Sequence, residues 1–286
     1  MRYLVMLWVL ASGQLLAADV GCPVDQVRLR AAVENFRARK AQQPLPLPLE
    51  AARCFRSAFV NELSLEKGEV VGYKVGLYTE ASRKTFGASG PEIGILLKGM
   101  LAEDVREVSA AVGFSPVAEA DFMLVVGSDA INEARTREDF YRQLRGYRPF
   151  IELPDNNYSP TTPVSAGQLV ALNVNARAGI LGKEVPLVLT SQGQQDLVGL
   201  SVVASIEGGE SPKKQEGVAS ETLGDPIDIA MFARDAVLRE GRRLRTGDLI
   251  SIGAIVTPSP PHSGETFRVS YRIGKTTSEI SVFFTP

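Results

Sequence analysis

The stretch PVAEADFMLVV, residues 116–126, places two acids where a β-strand should be hydrophobic. Its second half, FMLVV, has the apolar composition of a buried strand. Glu119 and Asp121 stand two residues apart at its start, and strand side chains alternate between faces, so both carboxylates are expected on one face. Two like charges side by side on a half-buried strand are costly unless a cation lies between them. The stretch therefore predicts a strand beside a bound cation; the alternative is a solvent-facing acid pair on an edge strand.

A third acid and a lysine occur in two other apolar stretches. Glu152 lies within PFIELPD and Lys74 lies within GYKVG. Together with Glu119 and Asp121, Glu152 would form a hard oxygen-ligand site for Mg²⁺ or Mn²⁺, and one divalent cation among three carboxylates leaves a net charge of about −1. A lysine inside a strand either extends its ammonium to water or answers a buried negative charge.

The composition is that of a soluble globular protein and gives no sign of nucleic-acid binding. The chain has 286 residues, of which 44% are hydrophobic and 22% charged, and its formal net charge is −2. Its single histidine, His262, lies in the proline-rich turn PSPPHSG, where it is expected to face water. A Ser-His-Asp triad and a histidine-based zinc site are therefore excluded, and no phosphate-binding glycine motif is present.

Residues 1–18 are predicted to be a secretory signal peptide. Arg2 is followed by an apolar run from Tyr3 to Leu10 and by small residues at Ala17 and Ala18, and the run is too short to span a membrane. Cleavage would leave a secreted or periplasmic protein without a stable membrane span. The alternative is that the run forms a buried first strand of the fold.

Two cysteines, Cys22 and Cys54, allow a single disulfide. In an oxidising compartment, a bridge that closes a loop of about 30 residues would contribute roughly 3 kcal/mol to stability. The alternative is two unpaired buried cysteines. Neither cysteine belongs to a CxxC pair, so the spacing gives no sign of a cysteine metal site.

Helical and β-rich regions follow one another along the chain. Apolar residues recur at helical spacing in 24–42 and 50–68, so residues 19–68 are predicted to be an N-terminal helical segment. Residues 69–286 are predicted to be the main domain, with strands at 69–78, 122–127, 148–155, 185–190, 200–207 and near the C-terminus. Helices are predicted at 136–146 and 225–241, a helix running into a loop at 165–179, and a mobile loop at 208–224. Many strands without a βαβ rhythm indicate the α+β class with a mixed β core.

Several stretches in a fixed order resemble the 2-keto-4-pentenoate hydratase branch of the fumarylacetoacetate hydrolase superfamily. They are GYKVG, PEIG, the EAD strand, PFIELPD and GDLISIG. The resemblance runs from about residue 49 to residue 284. It implies a mixed β roll of the fumarylacetoacetase C-terminal type, with the N-terminal helices packed outside and the site at one open end. It also implies self-association into a homo-oligomer.

The resemblance assigns roles to individual residues by position. It implies that Glu119, Asp121 and Glu152 ligate the metal, with Asp121 standing where a glutamate is more usual. Lys74 matches the family's active-site lysine, which would neutralise developing enolate charge. Glu92 in PEIG matches an acid on the loop that helps close the site, and it would assist proton or water handling. A solvated loop position is the alternative for Glu92.

The segment VNARAG, residues 174–179, departs from the family pattern DNASSG. Val174 replaces an acid and Arg177 replaces a small polar residue, whereas Asn175 is kept. Asn175 and Arg177 are therefore candidate substrate-binding residues. Arg177 could pair with an extra substrate carboxylate, or it could fill the pocket and end catalysis.

The resemblance implies a lyase that binds a small 2-oxo or dienoic acid and adds water through a metal-bound enolate. In the hydratases the substrate is 2-hydroxypenta-2,4-dienoate. The same chemistry supports decarboxylation of 2-oxo acids, so a decarboxylase is one alternative. A catalytically inactive, secreted family member that binds a small carboxylic acid is another. The three acids and Lys74 favour the lyase, and Val174 and Arg177 favour the binder.

Overall fold

The computed structural model describes residues 22–103, 105–209 and 213–286, and the predicted signal peptide therefore lies outside the described residues. The α-helices in these ranges are α1 Gln26–Arg37, α2 Leu49–Lys67, α3 Glu80–Phe86, α4 Arg137–Arg142, α5 Ala166–Ala171, α6 Ser191–Val198, α7 Ala219–Thr222 and α8 Pro226–Arg239. Short 3-10 turns occur at Lys98–Met100, Asp129–Asn132 and Asn173–Asn175.

The strands within the described ranges form two sheets. They are β1 Val70–Gly76, β2 Glu92–Leu97, β3 Leu101–Glu103, β4 Glu107–Ser109, β5 Glu119–Val126, β6 Leu144–Leu153, β7 Ala178–Leu181, β8 Val185–Pro186, β9 Ser201–Glu207, β10 Lys213–Val218, β11 Leu249–Ser251, β12 Thr266–Ile273 and β13 Thr276–Thr285. The larger sheet has the order β2-β1-β11-β5-β6-β7-β3, with β8 added to β6, and the smaller has the order β10-β9-β12-β13-β4. Both sheets mix parallel and antiparallel pairs.

The larger sheet curls on itself. Strands β2 and β3 stand at opposite ends of its order, yet only the turn Lys98–Met100 separates them along the chain. The two edges must therefore lie close together. A small cluster of buried residues fills the inside of the curl, and Leu101 of β3 packs against it: Leu96, Met123, Val125, Phe150, Ala176, Leu181 and Leu249. The predicted α+β class with a curled mixed sheet is confirmed.

Strand β5 is buried on both faces, which explains its continuous apolar run. Phe122 and Leu124 pack into the main core outside the curl, whereas Met123 and Val125 belong to the inner cluster. The smaller sheet lies behind this strand. The hydroxyl of Tyr271, on β12, lies 2.7 Å from the carbonyl oxygen of Asp121 and thereby supports the backbone of the acid-bearing strand.

The N-terminal helices pack on each other and are joined by a disulfide. Cys22 and Cys54 are bonded, with their Cα atoms 5.7 Å apart, so the paired alternative is correct. The rings of Phe36 on α1 and Phe59 on α2 meet edge to face with their centres 5.5 Å apart. None of the helices in the described ranges is both long and apolar enough to cross a membrane.

Three of the predicted elements are wrong in part. Residues 208–224 are not a loop throughout, because β10 pairs with β9 along its whole length and α7 follows. The polar sequence of β10 suits an edge strand, whose pairing comes from the backbone. The strand predicted at 185–190 contains only Val185–Pro186, and the helix predicted at 136–146 ends at Arg142, because β6 begins at Leu144.

Candidate active site

Three acids and a lysine that the sequence singled out lie on one face of the curled sheet. Glu119 on β5 is directly opposite Glu152 on β6, and Asp121 is two residues farther along β5. Lys74 on β1 is opposite Ser251 on β11, which in turn pairs with β5 on the same side as the acids. Residues opposite each other or two apart share a face. The structure therefore brings these side chains together, and their role as metal ligands stays a prediction.

Lys74 forms a buried ion pair with Glu152. Its Nζ lies 2.6 Å from Oε1 of Glu152, and the two side chains are only 7% and 1% exposed. Within the described residues, neither oxygen of Glu152 has a partner with the geometry of a hydrogen bond. A buried carboxylate is costly unless donors or cations satisfy its oxygens. Glu152 therefore has unused capacity to accept a cation or a donor.

Asp121 is oriented by strand β11 and the residues after it. The hydroxyl of Ser251 donates to Oδ2 of Asp121, and the backbone N–H of Gly253 donates to Oδ1 over 2.9 Å. Asp121 and Ser251 are completely buried. Reasoning from the sequence missed Ser251; a hydroxyl inside the apolar stretch GDLISIG was the available signal. The stretch thus contributes a donor that aims the carboxylate of Asp121.

Carboxylates outnumber ammonium groups on this face by two. Burial, and then the charge of Glu152, raise the pKa of Glu119 to about 8 against the opposing effect of Lys74. The same two causes raise the pKa of Asp121 to about 7, although Ser251 opposes the change. Burial lowers the pKa of Lys74, but the acids, led by Glu152, outweigh it and leave that pKa raised. A further positive charge would relieve the imbalance.

The donor set fits a divalent cation in its chemistry. Hard carboxylate oxygens are the ligands that Mg²⁺ and Mn²⁺ prefer, and Oε2 of Glu152, which does not take part in the ion pair with Lys74, is available. A cation of charge +2 would also balance the excess negative charge. In the described residues, no three His, Cys, Asp or Glu side chains are already spaced to hold a metal ion.

Glu92 opens strand β2 and does not lie on a solvated loop. Its side chain is 5% exposed, and it stands two residues from Gly94, the cross-strand partner of Lys74. Diagonal neighbours of this kind lie roughly 7–8 Å apart. Arg53 on α2 holds both carboxylate oxygens, with Nε 3.1 Å from Oε2 and Nη2 2.5 Å from Oε1. This bidentate pair fixes the orientation of the Glu92 carboxylate.

The turn Asn173–Asn175 packs directly on strands β1 and β2. All three of its residues have positive φ, of 59°, 52° and 59°, and for the β-branched Val174 this conformation is strained. A Cβ on Gly76 would lie 2.3 Å from Cγ1 of Val174, and a Cβ on Gly94 would lie 2.7 Å from the carbonyl oxygen of Asn173. The close approach of the turn therefore requires glycine at both strand positions.

The side chain of Asn173 anchors this turn to the outer edge of β2, which pairs with no other strand in the described ranges. Its Oδ1 accepts from the N–H of Ile95 over 2.7 Å, and its Nδ2 donates to the carbonyl of Ile95 over 2.8 Å. Asn173 thus imitates a neighbouring strand and satisfies buried backbone groups. Asn175, a predicted substrate-binding residue, is held at the end of the same turn.

A cavity of about 250 Å³ lies beside Asn175. The residues that line it are uncharged, and they include Ser115, Asn156, Asn157 and Tyr158. Ser115 lies four residues before the first acid of β5, and Asn156 lies four residues after the acid of β6. The cavity is therefore at the carboxylate end of the two strands, although the acids do not line it.

Arg177 is engaged elsewhere. Its Nε donates to the carbonyl of Val112 over 2.6 Å, its Nη1 donates to the carbonyl of Phe36 over 3.0 Å, and Nη1 lies 3.2 Å from Oδ2 of Asp155. Arg177 is not among the residues that line the cavity. Its substrate-binding role stays a prediction.

No protein-family model matches the chain. The chain is 30% identical over 209 residues to 2-keto-4-pentenoate hydratase 2 of Dechloromonas aromatica, covering 72% of this chain and 75% of that protein. It superposes on 4-oxalocrotonate decarboxylase from Pseudomonas putida G7, solved with magnesium and adipate, with a TM-score of 0.73 and 20% identity, covering 92% of this chain and 99% of that one.

A more distant structure shares the same fold. A protein from Oleispira antarctica, assigned to the fumarylacetoacetate isomerase/hydrolase group, superposes with a TM-score of 0.52 and 16% identity. The superposition covers 75% of this chain and 93% of the Oleispira antarctica protein.

Proposed function

The chain belongs to the 2-keto-4-pentenoate hydratase family of the fumarylacetoacetate hydrolase superfamily, and on that premise we propose that it is a metal-dependent hydro-lyase that adds water to a 2-hydroxydienoate or 2-oxo acid. The observation that carries the proposal is the buried face on which Lys74 pairs with Glu152 beside two further acids. Its excess of negative charge and the free Oε2 of Glu152 among the described residues support binding of a divalent cation.

Glu119, Asp121 and Glu152 would hold the cation. When bound, Mg²⁺ or Mn²⁺ supplies a Lewis acid that polarises the oxygens of a 2-oxo acid. Ser251 supports this arrangement because its hydroxyl keeps the carboxylate of Asp121 aimed at the inner face. Tyr271 adds support from behind the strand through the carbonyl of Asp121.

Lys74 is suited to stabilise negative charge. The neighbouring acids raise the pKa of its ammonium, so Nζ stays protonated at neutral pH. A permanently charged ammonium cannot act as a general base, but it can attract a substrate carboxylate and stabilise enolate charge as a proton leaves carbon. The burial of Nζ strengthens this effect because water screens it little.

Glu92 is suited to handle a proton or a water molecule. Arg53 keeps its carboxylate oriented, and the sheet register places it diagonally from Lys74. An ionised carboxylate near an ammonium can accept a proton from substrate or water and return it later in the reaction.

The cavity beside Asn175 favours a substrate whose far end is uncharged. Its lining offers amide and hydroxyl groups, such as those of Asn156 and Asn157, and the cationic side chain of Arg177 is committed to protein groups. A second carboxylate in this cavity would lack a cationic partner. We therefore favour a monocarboxylic dienoate over a 2-oxo diacid, and hydration over decarboxylation of a diacid.

The test is turnover of 2-hydroxypenta-2,4-dienoate, followed by loss of its absorbance, with Mg²⁺ or Mn²⁺ added. Glu152→Gln should lower turnover by about 100-fold or more, because even residues that only support metal ligands typically cost roughly 10–100-fold. Glu138→Gln is the matched control, since Glu138 is exposed and pairs with Arg142 along one helix. A Glu152→Gln variant with wild-type turnover and metal binding would show that the ligand assignment is wrong.

A non-catalytic acid-binding protein is the second candidate. It is favoured by the buried, apolar Val174, which stands where the family carries an acid, and by the absence of three pre-spaced ligands among the described residues. Binding of a 2-oxo acid together with Mn²⁺, but without turnover of any dienoic or 2-oxo acid, would support this candidate.

We also propose that the protein works in an oxidising compartment. The disulfide between Cys22 and Cys54 supports this location, because such bonds persist in secreted and periplasmic proteins and are rare in the cytosol. The expected signal peptide is consistent with the same location.

A further inference from the structure

Arg177 joins helix α1 to the carboxylate end of the large sheet. Its Nη1 donates to the carbonyl of Phe36, in the last turn of α1, over 3.0 Å, and its Nε donates to the carbonyl of Val112 over 2.6 Å. Its Cζ lies 4.3 Å from the centre of the Phe36 ring. A cation at the C-terminus of a helix and over an aromatic face is favoured on both counts.

The same guanidinium pairs with Asp155, just after strand β6. Nη1 of Arg177 lies 3.2 Å from Oδ2 of Asp155, and the two side chains are 8% and 1% exposed. The carboxylate also accepts from the N–H of Phe114 over 3.0 Å and of Ser115 over 2.7 Å. The N–H of Asp155 donates to the carbonyl of Asn175 over 3.0 Å. One ion pair therefore connects several backbone segments.

These contacts involve three loops that flank the proposed site. The first leads into the strand of Glu119 and Asp121, the second leaves the strand of Glu152, and the third is the turn that carries Asn175. Without Arg177, the buried carboxylate of Asp155 would lose its cation, which is a strongly destabilising change. The loops would then be held less firmly, and so would the ends of the two acid-bearing strands.

We propose that Arg177 is a positioning residue that fastens these three loops to helix α1, and that the carboxylate face keeps its affinity for a divalent cation only while this connection is intact. The part that concerns metal affinity rests on the proposed function, whereas the part that concerns the loops does not. Arg177→Ser, which introduces the kind of small polar residue expected in the family, is the direct test.

Hydrogen–deuterium exchange tests the loops. In Arg177→Ser, the amides of Phe114 and Ser115 should exchange about tenfold faster or more, because their acceptor Asp155 is no longer held. Arg177→Lys keeps a cation near Asp155 but lacks the planar fork that reaches Phe36 and Val112 together, so it should restore only part of the protection.

Calorimetric titration with Mn²⁺ tests the connection to the site. Arg177→Ser should bind Mn²⁺ about tenfold more weakly, at the lower end of what supporting residues around metals typically cost. Arg234 provides a matched control, because its Nη1 donates to the carbonyls of Ile131 and Ala134 over 2.9 and 2.8 Å and its Cζ lies 5.5 Å from the Phe140 ring centre. Arg234→Ser should destabilise the fold but leave Mn²⁺ affinity unchanged.

The outcomes separate the two proposals. A wild-type protein that does not bind Mn²⁺ would overturn the proposed function, and amide exchange at Phe114 and Ser115 would still decide the role of Arg177 in the loops. The positioning role is overturned if Arg177→Ser keeps wild-type protection and Mn²⁺ affinity, or if Arg234→Ser weakens Mn²⁺ binding equally. A loss confined to binding of a diacid would instead show direct pairing of Arg177 with substrate.

Discussion

Glu119 and Asp121 connect the stability of the protein to pH at the level of single residues. Their pKa values are raised from the ordinary values of 4.5 and 3.8 to about 8 and about 7. At pH values between the ordinary and the raised pKa values, the folded protein binds more protons than the unfolded chain does. The free energy of unfolding therefore falls as the pH rises. The stabilising contribution is complete below about pH 4 and is lost as pH passes through 7 to 8.

The metal-free protein should therefore lose stability as the pH rises from about 4 to about 8. Urea denaturation in EDTA measures this, and Mn²⁺ should remove much of the loss because the cation replaces the protons that balance the acids. The double variant Glu119→Gln/Asp121→Asn should show a flatter dependence. A wild-type stability in EDTA that is constant or rises over this interval would contradict the expectation.

Strands β1 and β2 and the turn Asn173–Asn175 fit together at the level of elements. The turn approaches so closely that Cβ atoms at Gly76 and Gly94 would overlap it, while Asn173 bonds to the backbone of β2. The strained Val174 is held in place by these contacts on both sides. The packing of β1, β2 and the turn against one another thus determines the position of Asn175.

Enlarging Gly76 and shrinking Val174 tests the contact between strand β1 and the turn Asn173–Asn175. Gly76→Ala should destabilise the protein by about 1–3 kcal/mol through overpacking and should reduce turnover, because its Cβ would meet Cγ1 of Val174. Adding Val174→Ala removes that atom, so the double variant should recover part of the loss and the two effects should not be additive. Gly90→Ala, where a Cβ would meet nothing within 4 Å, is the control. Additive effects would argue against this contact.

The disulfide acts at the level of the whole molecule. It joins residues 32 apart in sequence and connects the first described residues to the second turn of α2, the helix that also carries Arg53. Replacing both cysteines with serine should lower the free energy of unfolding by about 3–4 kcal/mol, because the unfolded chain gains freedom. Guanidinium denaturation of this variant measures the loss. Wild-type protein under strong reductant should match it, and an unchanged midpoint in both would contradict the expectation.

Much of the site could be predicted because individual residue types in the sequence already indicate its chemistry. Acids and a lysine inside apolar runs are rare enough to indicate a buried charged site, and the alternation of strand side chains indicated that Glu119 and Asp121 share a face. The curled mixed sheet was implied by the order of motifs that resemble a known family. The edge strand β10 escaped prediction because its polar residues carry no alternating pattern, and its pairing with β9 uses backbone groups alone.

The sequence alone determined which residues are chemically able to form the site. Residue type and the spacing of apolar side chains can both be read from neighbouring positions in the chain. Tertiary structure decided which of them meet. Register placed Glu152 opposite Glu119, curling of the sheet enclosed them with Lys74, and long-range packing committed Arg53 to Glu92 and Arg177 to Asp155. Such pairings depend on contacts between residues far apart in sequence, and local patterns carry no information about them.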